Sequence, residues 1–557
     1  AKGKYWSFTR KIAGRDAAET LREELPGLIL SIPWPKTMYW PSLGGPKFIR
    51  PIRWIVALLG VDVVPFDCAG VTASNVTFGH RRLGSRGPLT VTVSDFEQVL
   101  EENFVIVSAA KRRDKIASEV ATMAAARGLR VKVDAKLLEV LTYITEYPTA
   151  ILGTFDASYL TLPSEVLVTV MRHHQKYFSV EDAQGVLAPH FIAIMNIPAD
   201  PDGHVVNGNE RVLRARFNDA RFFYDVDQRK PLAERVEDLS HVTFHAKVGN
   251  YLEKTARVAA LAGELGGPDA AAAGQLCKAD LTTEMVKEFT DLQGVVGGLY
   301  AKAQGAAPEV AQAIYEHYKP LSIEDSIPST KAGQALSVAD KLDTLRSCFA
   351  VGLIPSGSKD PFALRRAAQG VVKILVNGAL RPDLRALLGS DALTDFFKDR
   401  IRYYFEEVES VRYDAVNAVL KAEWTNLSDF ALRVRAIERV RFRPEFQELV
   451  RNFKRVNNIV RQAPEDVGYR IAVEQLPHAA DGELYAFVEK RDWMDFGQNY
   501  EQQMIRLASA GPILGSFFEA VMVLSDDGAL RETRVFFLRK ILNDFGLIAD
   551  FTEIVTN

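Results

Sequence analysis

From about residue 208 onward the chain carries helical periodicity and almost no strand periodicity. Leu213, Phe217, Ala220 and Tyr224 recur at i, i+4, i+7 and i+11, which is one face of a helix. Leu265-Gly-Gly-Pro-Asp269, Gly305-Ala-Ala-Pro308 and Ser326-Ile-Pro-Ser-Thr330 then break the run into separate helices. Before residue 208 strands and helices alternate. Segments 63–66, 89–93, 104–107 and 190–196 read as strands, and 5–9 is strand-like. Segment 108–127 reads as a helix ended by Gly128. A chain of 557 residues patterned this way is expected to be multidomain α+β, with a mixed first half and a helical second half.

The charge balance restricts the partners. Lys and Arg number 68 against 71 Asp and Glu, a net charge of −3. The molecule is therefore not basic overall, and any nucleic-acid surface must be local. Cys68, Cys277 and Cys348 are odd in number and far apart, which argues against a disulfide framework and a zinc site and for a reducing cytoplasm. No apolar run reaches the roughly 18–20 residues of a membrane span.

The strongest local signal lies near the C-terminus. Between Arg433 and Arg461 there are nine Lys or Arg and three Glu. One predicted helix, ended by Pro444, places Phe430, Val434 and Ile437 inward and Arg435, Arg439 and Arg443 in a stripe at i, i+4 and i+8, with Arg433 close by. A second buries Phe446, Leu449, Val450, Phe453, Val456 and Val460 and leaves Arg451, Lys454 and Arg455 on its other side. Two adjacent basic-faced helices suit phosphate; a solvated charged face is the alternative.

Three further segments are dense in polar groups. Met171-Arg-His-His-Gln-Lys-Tyr-Phe178 gathers Arg172, His173 and Lys176 for RNA or subunit contact, or for a hydrogen-bonded junction. Adjacent histidines on a helix point about 100° apart and make poor co-ligands for one metal. In Ser356-Gly-Ser-Lys-Asp-Pro-Phe-Ala-Leu-Arg-Arg366, Asp360 is placed to cap a helix with Pro361 as its first residue. Lys359 and Arg365 stand near the resulting N–H groups, where a phosphate could sit, although no Walker loop is present. Asp340 and Asp343 in Ala339-Asp-Lys-Leu-Asp-Thr344 share a helix face, suited to acid–base or metal work or to salt bridges. Arg214 and Arg221 share a flank of the 209–224 helix.

His245, Asp280, His317 and Asp340 follow one another in an order that resembles the HD-domain fold of metal phosphohydrolases. The resemblance is to a degenerate member. Where an adjacent His-Asp pair is required this chain has Lys278-Ala279-Asp280, and no metal is expected there.

Taken in order, these segments resemble the β subunit of the two-subunit bacterial glycyl-tRNA synthetase. Phe48-Ile-Arg-Pro-Ile-Arg-Trp54, Gly208-Asn-Glu-Arg-Val-Leu-Arg-Ala-Arg216 and Lys278-Ala-Asp-Leu-Thr-Thr-Glu-Met-Val286 extend the likeness over nearly the whole chain. Asp429-Phe-Ala-Leu-Arg433 and Phe453-Lys-Arg-Val-Asn-Asn-Ile459 resemble the helical anticodon-binding domain shared by several synthetases. The resemblance implies a glycine–tRNA ligase subunit, inactive alone and N-terminally shortened. It implies a mixed α/β region of one or two subdomains at 1–230 and a degenerate HD-like domain at 231–375. A helical connector at 376–425 and an anticodon-binding domain at 426–557 follow. Its expected partners are the α subunit and glycine tRNA, with neither membrane nor DNA among them. No cofactor is expected in this chain, ATP and Mg being used by the α subunit. The competing reading is an HD-type phosphohydrolase acting on nucleotides or RNA. A third is a purely structural partner of the α subunit.

Overall fold

The computed structural model describes residues 14–38, 47–357, 359–464, 468–491 and 499–556. The strand expected at 5–9 lies outside them. The chain divides into two compact units, Ala1–Phe223 and Tyr224–Asn557. The first is α+β and the second almost entirely helical.

The main sheet of the first unit has four antiparallel strands in the order Arg130–Val131, Phe178–Glu181, Leu187–Met195, Thr149–Thr154. Its central strand carries Phe191 and Ile192 on opposite faces, both fully buried, so the sheet is covered on both sides. On one side Ile192 joins Ile116, Val120 and Ala124 of helix Ala109–Ala125 and Leu137 and Leu141 of helix Ala135–Ile144. Ser108 caps the first of these helices and Gly128, at φ 68°, follows its end. On the other side Phe191 stacks on Tyr177 and lies over Gly153, its partner in the ladder. Helix His204–Asp227 presents buried Leu213, Phe217 and Ala220, and Phe217 meets Phe155 and Tyr159 edge-on or tilted. A smaller sheet, Ile55–Val56, Val71–Ser74 and Asp67–Cys68, closes over Val64, Phe66, Cys68 and Ala73.

Three expected strands differ, and of 89–93 only Leu89–Thr90 is a strand, paired with Val76–Thr77. Segment 104–107 is irregular, because Phe104 takes φ 60° and the carbonyls of Ile106 and Val107 accept from the Arg112 guanidinium rather than from a neighbouring strand. Of 63–66, only Val63 is in a strand, paired through Asp62–Val63 with Leu58–Leu59.

In the second unit helix Lys331–Ala350 is buried along most of its length, polar residues included. Helices Tyr251–Gly266, Pro268–Leu276, Pro308–Glu316 and Leu364–Asn377 pack around it. Glycines permit the closest approaches. A Cβ at Gly298 would lie 2.5 Å from Tyr315 Cβ and 2.7 Å from its backbone N. Gly298→Ala should therefore destabilise the fold by about 1–3 kcal/mol, as overpacking against backbone does. Gly208 lies inside helix His204–Asp227, and a Cβ added there would have nothing within 4 Å. Gly208→Ala should instead stabilise by about 0.5–1 kcal/mol. Urea midpoints of the two variants, moving in opposite directions, check both.

Toward the C-terminus helix Leu427–Val440 buries Phe430, Val434 and Ile437. Helix Pro444–Gln462 buries the six apolar residues expected of it, from Phe446 to Val460. Helix Ala510–Ala520 crosses it so closely that a Cβ at Gly511 would be 2.7 Å from Leu449 N. Among the described residues no helix is long and apolar enough to cross a membrane.

Candidate nucleic-acid interface

Of the four residues expected at an HD-type site, His317 and Asp340 are joined through a lysine. Lys278 Nζ is 2.9 Å from His317 Nε2 and 2.9 Å from Asp340 Oδ2, and it lies over the Tyr318 ring at 3.9 Å. The second Asp340 oxygen faces Lys254 Nζ at 3.1 Å. Asp343 completes the network, pairing with Lys254 at 3.2 Å and with Arg257 at 2.6 Å. The shared face of Asp340 and Asp343 is thus spent on salt bridges. Asp280 accepts the N–H groups of Gly294 and Gly297 at 2.5 and 3.1 Å. His245 is elsewhere, edge-on to Phe362 and accepting Lys247 N–H. Among the described residues no three or more His, Cys, Asp or Glu side chains gather as a metal ion requires.

The charges in this core are set by their neighbours. Burial works to raise the Asp340 carboxyl, but Lys254 and Lys278 outweigh it and hold it well below the usual carboxylate range. Burial works to lower Lys278, and Asp340 holds it charged. Burial, with Lys278 adding to it, pushes His317 down to about 3, so its ring is neutral, donating from Nδ1 to Ile314 O and accepting Lys278 at Nε2. Burial pushes Asp280 up to about 6. His317 and Asp280 act oppositely on stability. Between about pH 6.5 and 3 the unfolded chain protonates His317 and the folded chain does not, so this residue's contribution falls with pH. Between about pH 6 and 4 Asp280 takes its proton first in the folded chain, and its contribution rises as pH falls. The stability advantage of wild type over His317→Gln should shrink on acidification through that window, by at most about 1.4 kcal/mol per pH unit. Urea titrations of both proteins at pH 7 and pH 5 measure it.

Segment 356–366 corrects one expectation. Its helix begins at Leu364, three residues later than Pro361, because Ala363 takes the left-handed conformation at φ 53°. The Asp360 carboxylate still reaches the N–H groups of Leu364 and Arg365, both at 2.9 Å. A carboxylate thus fills the place at the helix start assigned to phosphate, with exposed Lys359 and half-buried Arg365 outside it.

In the first unit, Val170–Gln175 is a π-turn closed by Lys176 at φ 61°, whose ammonium donates to His173 O at 2.7 Å. Arg172 pairs with Asp134 at 2.5 Å, and His173 is half-buried. Arg172 and Lys176 are thus each held by a neighbouring group. On helix His204–Asp227, Arg221 donates to Ser158 O at 2.7 Å and covers the Tyr159 ring, whereas Arg214 is exposed.

The C-terminal cations separate into two sets. Arg433 is buried, donating to Asp429 at 2.9 Å, Ile548 O at 3.0 Å and Glu423 O, so it cannot meet phosphate. Arg435 makes a two-pronged pair with Glu409. Arg439 reaches Glu501, and Lys454 donates to Ile554 O at 2.8 Å. The expected stripe also breaks at its end, since helix Leu427–Val440 stops before Arg443, which becomes the N-cap residue of the next helix. The second set is open. Arg443, Arg451 and Arg455 are exposed, and none has an acidic partner among the described residues. Arg451 and Arg455 are four apart on helix Pro444–Gln462, and Arg455 lies over the Phe518 ring at 4.3 Å. Exposed Phe442 adjoins Arg443. Exposed cations with an aromatic ring beside them suit an RNA backbone and its bases.

A sequence profile described as "Glycyl-tRNA synthetase beta subunit" matches residues 1–421. The chain belongs to the glycyl-tRNA synthetase beta-subunit family. Its relatives include the glycine–tRNA ligase beta subunit of Acidobacterium capsulatum, 43% identical over all of this chain and 84% of the relative. Those of Moorella thermoacetica and Trichlorobacter lovleyi are each 39% identical over 99% of the chain and 84% and 83% of theirs. In this glycyl-tRNA synthetase beta-subunit chain, sequence reasoning missed Lys254 and Arg257 as partners of the Asp340–Asp343 pair. Their spacing within Lys254-Thr-Ala-Arg257 places both on one helix face, but nothing local names the carboxylates they meet.

Proposed function

We propose that this chain is the tRNA-gripping beta subunit of a two-subunit glycine–tRNA ligase. It binds glycine tRNA and delivers its 3′ end to glycyl-adenylate formed, with ATP and Mg, on the alpha subunit in the cytoplasm. The observation that carries the reading is the match to glycine–tRNA ligase beta subunits along the whole chain. The exposed Arg443, Arg451 and Arg455 supply a place for the anticodon arm. The chain's contribution is positional: holding two reactants in register removes much of the entropy cost of their encounter.

On this reading the helices around Lys331–Ala350 are an HD-like scaffold without its metal. Lys278 already supplies the positive charge between His317 and Asp340. A phosphohydrolase would need a ligand there, and no observation favours that alternative. The isolated chain should bind glycine tRNA over a control tRNA in a gel shift, more tightly with alpha subunit present. It should show no glycine-dependent pyrophosphate exchange by itself. Exchange by the pure chain, or equal binding of both tRNAs with alpha subunit present, would overturn the proposal.

A further inference from the structure

A second basic surface, in the first unit, has the makings of a site of its own. A cleft of about 770 Å³ is lined by Arg53, Arg81, Arg82 and Arg86 together with Trp54 and Phe78, and no Asp or Glu among the described residues lines it. Its size falls within the roughly 300–1,000 Å³ of ligand clefts. All four arginines are exposed, and none has an ion-pair partner among the described residues. The default for an arginine-rich surface is a mesh of salt bridges, such as Arg435 makes with Glu409. This cleft lacks that neutralisation.

Its aromatic pair is equally unspent. Trp54 and Phe78 touch at 4.8 Å between centroids, tilted 57°, yet remain 42% and 36% exposed. Two large aromatic side chains thus stand partly open among guanidiniums that have no ion-pair partner among the described residues.

The loop bearing the arginines is held rigidly. His80 N–H donates to Asn103 O at 2.8 Å, and Ser85 N–H donates to the Asn103 side chain at 2.9 Å. The His80 ring, buried, accepts the N–H groups of Arg82 and Leu83 at Nδ1, both at 3.3 Å. Gly79 and Gly84 let the loop lie against Asn103, where added Cβ atoms would come within 2.5 and 2.8 Å of it. The backbone is therefore set before any ligand arrives, which lowers the ordering cost of binding.

We infer that this cleft binds single-stranded RNA, with unpaired bases stacking on Trp54 and Phe78 and the phosphates between them held by Arg53, Arg81, Arg82 and Arg86. The inference rests on the proposed tRNA-binding role and adds a site that the C-terminal helices do not provide. Duplex RNA keeps its bases stacked on one another and cannot offer their faces to the aromatic pair. Two parts of a tRNA have the required chemistry, the unpaired 3′ end and the anticodon loop.

The test uses the full chain and fluorescence anisotropy with an unstructured octamer, a duplex of equal length, an anticodon stem-loop, glycine tRNA with or without its unpaired 3′ nucleotides, and a control tRNA. Trp54→Ala and the double variant Arg81→Ala/Arg82→Ala are compared with wild type, and circular dichroism reports folding. Octamer affinity should fall roughly tenfold or more in each variant, as loss of a stacking platform or of two phosphate contacts predicts. Duplex binding should be unchanged. If removing the 3′ nucleotides abolishes the difference between wild type and variants, the 3′ end is the occupant; if the stem-loop shows the difference instead, the anticodon loop is. Wild-type affinity for the octamer in both folded variants would overturn the inference while leaving tRNA binding intact. Loss of preference for glycine tRNA over control tRNA, with the cleft variants still losing the octamer, would overturn the proposed function and leave the cleft standing. Absence of all RNA binding by wild type would overturn both.

Discussion

Lys278→Met should cost the second unit about 3–5 kcal/mol, among the largest effects of any single change in the chain. The lysine is buried between His317 and Asp340 and its charge is matched there. Methionine keeps the volume and removes the charge, leaving the Asp340 carboxylate with Lys254 alone. Breaking one side of a buried pair strands the other without solvent, and that desolvation is the source of the loss. Adding Asp340→Asn to Lys278→Met should recover part of it by removing the stranded charge. By contrast, Lys111 pairs with Glu97 and Glu101 in the open, and Lys111→Met should change stability by about 1 kcal/mol or less. Urea unfolding at pH 7 separates these cases. A Lys278→Met protein as stable as wild type would mean that the ammonium is not the element balancing Asp340.

Much of this arrangement can be read in the chain, and most of the failures share one cause. The helical second half, the buried face of Leu213, Phe217 and Ala220, and the six apolar positions from Phe446 to Val460 follow from periodicity alone. The strand at 190–196 is legible because its apolar residues run together between polar flanks. Periodicity records what a residue is and not what it meets. Arg433 looks like one more cation beside a stripe, yet its guanidinium bonds a carbonyl 115 residues away. Arg435 and Lys454 are likewise tied to partners that sequence spacing does not reveal. The helix after Asp360 starts late because Ala363 adopts a left-handed backbone that alanine seldom takes. Asp340 and Asp343 do share a face, as their spacing requires, but the lysines opposite them come from other parts of the chain.

Changing Arg443, Arg451 and Arg455 together to Ala should weaken glycine tRNA binding by on the order of tenfold to a hundredfold near physiological salt. Each lost phosphate contact lowers the slope of log affinity against log salt by about one, so the variant's slope should be shallower by about three. The fold should survive. Arg443 makes no side-chain cap, Arg451 is exposed, and the apolar face of helix Pro444–Gln462 is untouched. Arg433→Ala offers a contrast, because it empties a buried site and should destabilise the C-terminal helices rather than alter the salt slope.

This chain is proposed to hold glycine tRNA for chemistry done elsewhere. Aminoacylation by alpha subunit mixed with wild-type chain or with the Arg443/Arg451/Arg455 variant, over a range of tRNA concentrations, addresses it most directly. No charging is expected without this chain, and full charging with it. The variant should show a raised KM for tRNA and a nearly unchanged kcat once tRNA saturates. Charging that proceeds at the wild-type KM with the folded variant, or without this chain at all, would contradict the claim.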